Sequence, residues 1–206
     1  MSESNKTIAV GVSGASGMIY AVRSLKFLLS AGYTVELVVS KGAISVWNSE
    51  NITEGKMPSN PKQQEQFWRS QCQETGGHLT CHAWGDIAAN IASGSFQTLG
   101  MVVIPCSMAT VAKIAQGISS DLLERAADVH LKEGRKLIIV PRETPLSLIH
   151  LRNLTALAEA GARIVPAIPA WYHQPQTIND LVDFVVARVF DQLDIDSDLI
   201  KRWTCT

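Results

Sequence analysis

Short runs of β-branched and leucine residues alternate along this chain with stretches in which apolar residues recur every three or four positions. Ile8 to Val12 forms the first run and passes into Gly11-Val12-Ser13-Gly14-Ala15-Ser16-Gly17, after which Ala21, Leu25, Leu28 and Leu29 make a helical stripe ending near Gly32. Val35 to Val39 predicts a second strand, and Ser40 opens a short helix carrying Val46, Trp47 and Glu50. Leu99 to Ile104 predicts the third strong strand, stopping at Pro105-Cys106-Ser107, with a helix from Met108 to Ile114. Ser119-Ser120-Asp121 supplies a cap for a helix over Leu122 to Lys132. Leu137 to Val140 reads as a strand buried on both faces. Thr144-Pro145 then reads as N-cap and first position of a helix running to about Ala160. Ile164 to Ile168 predicts a short last strand, and Ile178, Leu181, Val182, Val185 and Val189 the stripe of a final helix.

This rhythm predicts an α/β fold, a central parallel sheet covered by helices on both faces with right-handed crossovers. Only Asn51 to Gly77 breaks it, turning polar, and is expected to be a surface insertion with one helix around Gln63 to Gln73. At 206 residues one domain spanning 1–206 is expected. The polar start, Met1 to Thr7, lacks the apolar core of a signal peptide, which points to the cytoplasm. Ile87 to Ala112 carries no charge, yet Gly94, Ser95, Gln97, Thr98 and Pro105 interrupt it, so no membrane span is expected. A net charge of -1 and only one basic cluster, at 132–136, offer nothing to nucleic acid. With 46% hydrophobic and 18% charged residues, part of the surface is expected to be buried in a homo-oligomer. Cys72, Cys81, Cys106 and Cys205 show no C-x-x-C spacing and fit reduced thiols.

Chemistry concentrates where strands end, because open parallel sheets bind ligands beyond their carboxyl edge. The Gly14-Ala15-Ser16-Gly17 turn offers backbone N–H groups and a helix dipole to an anionic or electron-rich ligand, or is simply a tight turn. Ser107 to Thr110 does the same after the third strand, where plain N-capping by Ser107 competes, and Ser40 after the second carries the same ambiguity. Three strand ends opening with small hydroxyl residues point together to a mononucleotide or flavin. Arg142-Glu143 stands at the end of the Leu137 strand, where charge serves chemistry. Arg125 and Lys132, seven apart on one helix, either pair with Asp121 and Asp128 four residues before them or join Arg142, Arg188 and Tyr172 around a phosphate monoester. His78, Cys81 and His82 lack a second pair at ligand spacing, so no metal is expected. Cys106 reads as a buried structural thiol. Trp171 and Tyr172 either pack or cover a flat ligand.

Several long segments resemble the UbiX flavin prenyltransferases: GVSGASG at 11–17, VVSKGA at 38–43, ASGSFQTLGMVVIPCSMAT at 92–110, LLERAADVHLKE at 122–133, PRETPLSLIHLRN at 141–153 and YHQPQTINDLVDFVVARV at 172–189. The resemblance implies a flavodoxin-like, Rossmann-like three-layer fold and a dodecameric homo-oligomer with active sites between subunits. It also implies transfer of a dimethylallyl group from dimethylallyl monophosphate to N5 and C6 of reduced FMN, the prenylated FMN serving UbiD-type decarboxylases. Carried over residue by residue, it assigns Gly14, Ala15, Ser16, Ser40, Ser107, Met108, Ala109, Thr110 and Arg142 to FMN, and Ser93, Arg125, Lys132, Tyr172 and Arg188 to the prenyl phosphate. Glu143 would protonate the leaving phosphate, Ser16 and Glu50 would move the proton of ring closure, and Trp203 would lie near the prenyl group on a tail, 193–206, that closes the site. Two rivals remain. An FMN-dependent cysteine decarboxylase would carry an early histidine and a P-A-S-A-N-T stretch, where this chain has Pro105-Cys106-Ser107-Met108-Ala109-Thr110 and no histidine before His78. A non-catalytic flavin-carrying subunit would need no second phosphate clamp.

Overall fold

The computed structural model describes residues 6–50 and 55–200. Six parallel strands make one sheet: β1 (Thr7–Val12), β2 (Thr34–Val39), β3 (His78–His82), β4 (Gly100–Cys106), β5 (Leu137–Pro141) and β6 (Arg163–Ile164). Their order is β3-β2-β1-β4-β5-β6, so the winding direction reverses between β1 and β4 and opens a crevice there. This is the three-layer, flavodoxin-like arrangement. Helices α1 (Met18–Ser30), α2 (Lys41–Glu50), α3 (Pro61–Cys72) and α7 (Ile178–Asp191) enclose one core with Ile8, Val10, Leu37 and Ile104 of the sheet. Helices α4 (Met108–Ala115), α5 (Leu122–Lys132) and α6 (Leu148–Glu159) enclose the other with Ala9, Val38, Met101 and Val103. Alternate residues of each strand thus serve opposite cores, which is why the strands read as unbroken apolar runs. Gly11 lets α5 pack closely on β1, since a Cβ there would lie 3.0 Å from the Leu123 side chain.

Four boundaries differ from expectation. β3 is an edge strand that periodicity did not mark, because only Leu79 and Cys81 of His78-Leu79-Thr80-Cys81-His82 turn into the core. β4 runs through Pro105 to Cys106: proline removes one donor, but its carbonyl still accepts from Ser13 N at 3.2 Å. β6 shrinks from the expected 164–168 to two residues, because Pro166 has no N–H; Val165 and Ala167 continue the pairing as isolated bonds to Ile139 O and Pro141 O. Finally, α6 begins at Leu148, not at Thr144-Pro145, because Ser147 Oγ accepts from His150 N at 3.2 Å and His150 Nδ1 accepts from Ser147 N at 3.3 Å, a reciprocal cap.

Within the polar 51–77 stretch, α3 is capped by Asn60 and buries Trp68 and Cys72. The rings of Trp68 and Trp47 meet edge to face at 5.3 Å, so this stretch contributes to the core as well as to the surface. Among the described residues no helix is long and apolar enough to cross a membrane.

Candidate functional site

The ends of β1, β2 and β4 are tied to one another by hydroxyl groups. Ser13, fully buried, donates its Oγ to Pro105 O at 3.2 Å and accepts from Ser107 N at 2.7 Å, locking the first strand end to the third. Ser40 N donates to Val12 O, and Ser40 Oγ accepts from Ala43 N at 3.2 Å to cap α2. Ser107 caps α4 by accepting from Thr110 N at 3.3 Å, with its hydroxyl 3.0 Å from that of Thr110. Gly14 faces Gly42 so closely that a Cβ on Gly14 would lie 3.0 Å from the Gly42 backbone.

These residues border a cavity of about 410 Å³, lined by Gly14, Ser40, Lys41, Gly42, Ser107, Ala109 and Thr110 on the strand-end side and by Trp84, Lys113, Ser120, Asp121 and Glu124 opposite. Backbone without side chains, hydroxyl donors, ammonium groups and one aromatic face suit a flavin mononucleotide, in a volume usual for such ligands. Met108, the first residue of α4, packs its side chain into the core. Ala15 is buried in the turn, and Ser16 is exposed beside it.

Glu50 alters the picture at the glycine turn. Its carboxylate accepts from Gly17 N at 2.7 Å and from Met18 N at 3.1 Å. Gly17, left-handed with φ 103°, has no side chain to cap α1, so the positive end of that helix holds the protein's own carboxylate. At the helix end of the glycine turn, the N–H groups of Gly17 and Met18 are therefore taken. Arg142, at the end of β5, donates Nε to Ser16 O at 2.9 Å. Ser16, Glu50 and Arg142 thus converge on one turn. Burial pushes the nearby Tyr20 phenol up, against the pull of Arg142. Glu143 accepts from Thr144 N at 3.1 Å in an exposed loop.

The residues assigned to the prenyl phosphate fall into two groups. On one face of the sheet, Arg125 and Lys132 stand on α5, and Ser93 follows the 3₁₀ turn Asn90–Ala92. Ser93 Oγ lies 2.9 Å from Ser95 Oγ, and a Cβ on neighbouring Gly94 would sit 3.0 Å from Lys132 Nζ. Arg135 holds this loop through Phe96 O at 2.6 Å and through Gly94 O. The i,i+4 pairs open to α5 do not form: Asp121 is its N-cap, Arg125 meets Asp128 at 3.1 Å, and Lys132 meets Glu133. Tyr172 and Arg188 lie across the sheet. The Tyr172 ring stands edge-on to Phe184 at 5.7 Å and to His173 at 5.8 Å, while His173 stacks on Phe184 at 5.3 Å. Arg188 pairs with Asp191 at 2.6 Å and, with Arg163, Ile168 and Phe184, lines a second cavity of about 450 Å³. A single chain does not bring the two groups together. Trp203 lies outside the described residues.

Burial pushes the Cys106 thiol up to about 12, against a bond with Ser13, so it is a protonated core group at neutral pH. His82 Nε2 is engaged by Glu36 Oε2 at 2.6 Å, and no cluster of metal-ligating side chains occurs among the described residues. Sequence reasoning passed over Ser13 and over Trp84, Lys113, Ser120 and Glu124 in the cavity wall. Lys113 had a signal, since Ser107, Thr110 and Lys113 recur at spacing three along one helix face. Trp84 follows the strand that periodicity did not mark.

A family model described as Flavoprotein matches residues 1–190. A protein of Synechocystis sp. named flavin prenyltransferase UbiX is 66% identical over 198 residues, 95% of either chain. A crystal structure of AnUbiX (PadA1) in complex with FMN and dimethylallyl pyrophosphate superposes with a TM-score of 0.84 at 38% identity, over 98% of this chain and 99% of that one. A dodecameric FMN-dependent UbiX-like decarboxylase from Escherichia coli O157:H7 superposes with a TM-score of 0.83 at 40% identity, over 97% and 100%.

Proposed function

Because the chain belongs to the flavin prenyltransferases of the flavoprotein family, we propose that it joins the dimethylallyl group of dimethylallyl monophosphate to N5 and C6 of reduced FMN, releasing phosphate. What supports this reading is the presence in one protein of a flavin-sized cavity and of a separate set of cationic side chains, Arg125 and Lys132 on α5 and Arg188 on α7, suited to a phosphate. A flavin carrier, or a decarboxylase using FMN as oxidant, has no need of the second set.

Reduced FMN supplies the electron-rich N5 and C6. Gly14, Ser40, Ser107, Ala109 and Thr110 would hold it at the sheet edge, with Arg142 and Ser16 at the β1 turn. Ser93, Arg125, Lys132, Tyr172 and Arg188 would hold the leaving phosphate, whose negative charge grows as the allylic C–O bond breaks. Glu143 would give a proton to the departing oxygen. Glu50, fixed one residue away from Ser16 by two N–H groups, would pass with it the proton of ring closure. Trp203 and the tail at 193–206 would exclude water.

The two groups of phosphate ligands can meet only if another subunit supplies one of them. The exposed side chains of Leu148, Ile149 and Leu151 on α6 supply apolar area for such an assembly, as in the dodecameric relative. The protein would work in the cytoplasm and pass its product to a UbiD-type decarboxylase. Anaerobic incubation with reduced FMN and dimethylallyl monophosphate, followed by mass spectrometry of the released flavin, tests the reading. A gain of one C5H8 unit is expected, and an unchanged flavin mass would sink it.

A further inference from the structure

One wall of the flavin cavity is a hydrogen-bonded charge cluster that nothing above uses. Glu124, on the first turn of α5, is 2% exposed. Its carboxylate accepts from Lys113 Nζ at 2.7 Å, from Ser120 N at 2.8 Å and from Ser120 Oγ at 2.5 Å. Burial pushes this carboxyl up, and the bonds from Lys113 and Ser120 outweigh that and hold it below its ordinary value. Lys113 Nζ also donates to Ser120 Oγ at 3.1 Å. An ammonium has three N–H donors, so these two bonds leave one.

The two ends of this pair are unlike. Here the carboxylate is hidden, while the lysine side chain remains 43% exposed and lines the cavity. Lys113 also continues the face of α4 on which Ser107 and Thr110 present their hydroxyls. A long, flexible ammonium side chain loses much rotamer freedom when it is held, and anchoring it beforehand removes that cost from ligand binding.

We propose that Lys113 is a further flavin-binding residue, donating its remaining N–H to an acceptor oxygen of FMN, with Glu124 and Ser120 as the positioning residues that fix its ammonium. This rests on the assignment of the cavity to the flavin. Glu124 is thus the counter-charge that allows a cation to sit still in a half-open pocket.

The test is equilibrium titration of FMN and of riboflavin with wild type, Lys113→Met and the double variant Lys113→Met/Glu124→Gln, each checked by thermal melting. Loss of a charge-assisted hydrogen bond weakens FMN about tenfold. That loss is expected in both variants, because the double variant leaves no unpaired buried carboxylate. A loss confined to FMN places the contact at the phosphate, and an equal loss for riboflavin places it at the ring or ribityl chain; both support the assignment. Wild-type affinity in the double variant would overturn it, tracing any defect of the single variant to the stranded Glu124. Failure of the wild type to bind either flavin would overturn the flavin reading itself.

Discussion

The flavin cavity and the prenyl-phosphate residues are assembled in opposite ways. The cavity draws on β1, β2, β4, α4 and α5, all of which deliver their residues to one edge of the sheet within a single chain. The cationic groups proposed for the phosphate, Arg125 and Lys132 on α5 and Arg188 on α7, stand on helices that pack on opposite faces of that sheet. A parallel sheet concentrates strand ends at one edge, so any ligand read by strand ends can be held by a monomer. The outer faces of helices on opposite layers point apart and can converge only through a second copy. On the proposed function, the flavin side would therefore be a property of the fold, and the phosphate side a property of the assembly.

The sharpest way to break this contrast is subunit mixing. Lys132→Ala and Arg188→Ala should each lower turnover by roughly a hundredfold or more, as loss of a group that stabilises developing charge does. Co-refolded in equal amounts, the two inactive proteins should recover about a quarter of the wild-type rate, because random assembly leaves that share of two-chain sites intact. No recovery would place the whole phosphate site in one subunit. Next in size, Glu143→Gln should slow turnover by about a hundredfold while leaving FMN affinity within a few-fold, since its carboxylate bonds within its own loop, to Thr144 N, and is absent from the cavity lining. Equal loss of both would merge the two regions. The smallest effect tests the flavin side alone. Glu50→Gln weakens the cap on α1 and should cost about 1 kcal/mol in denaturant unfolding. It should also impair ring closure more than release of phosphate, which quenched-flow assays of phosphate and flavin product can separate.

Much of this was legible along the chain. The strands β1, β2, β4 and β5 and the helices α1, α5 and α7 follow from apolar runs and stripes whose periods are set by local geometry. Ser107 as the cap of α4 and Asp121 as the cap of α5 were readable for the same reason, since a cap acts within three residues. β3 was not, because an edge strand with His78, Thr80 and His82 at alternate positions has too few apolar residues to signal. The start of α6 was misplaced because Thr144-Pro145 and Ser147 carry competing local signals. The role of Glu50 at the α1 terminus was hidden for a different reason: its partner lies 33 positions away.

What the sequence by itself determined is the order of elements, the glycine and hydroxyl residues at the strand ends, and the family, all of them properties of neighbours along the chain. Only the tertiary structure decided that β4 lies beside β1, so that Ser13 could bind Ser107 94 positions away. It decided as well that Glu50 occupies the helix terminus thought open to a ligand, and that the phosphate residues part to opposite faces. Sequence spacing encodes what sits on one side of an element. Which sides then meet depends on strand order and layer packing, because burial rewards apolar area without regard to the distance between residues along the chain.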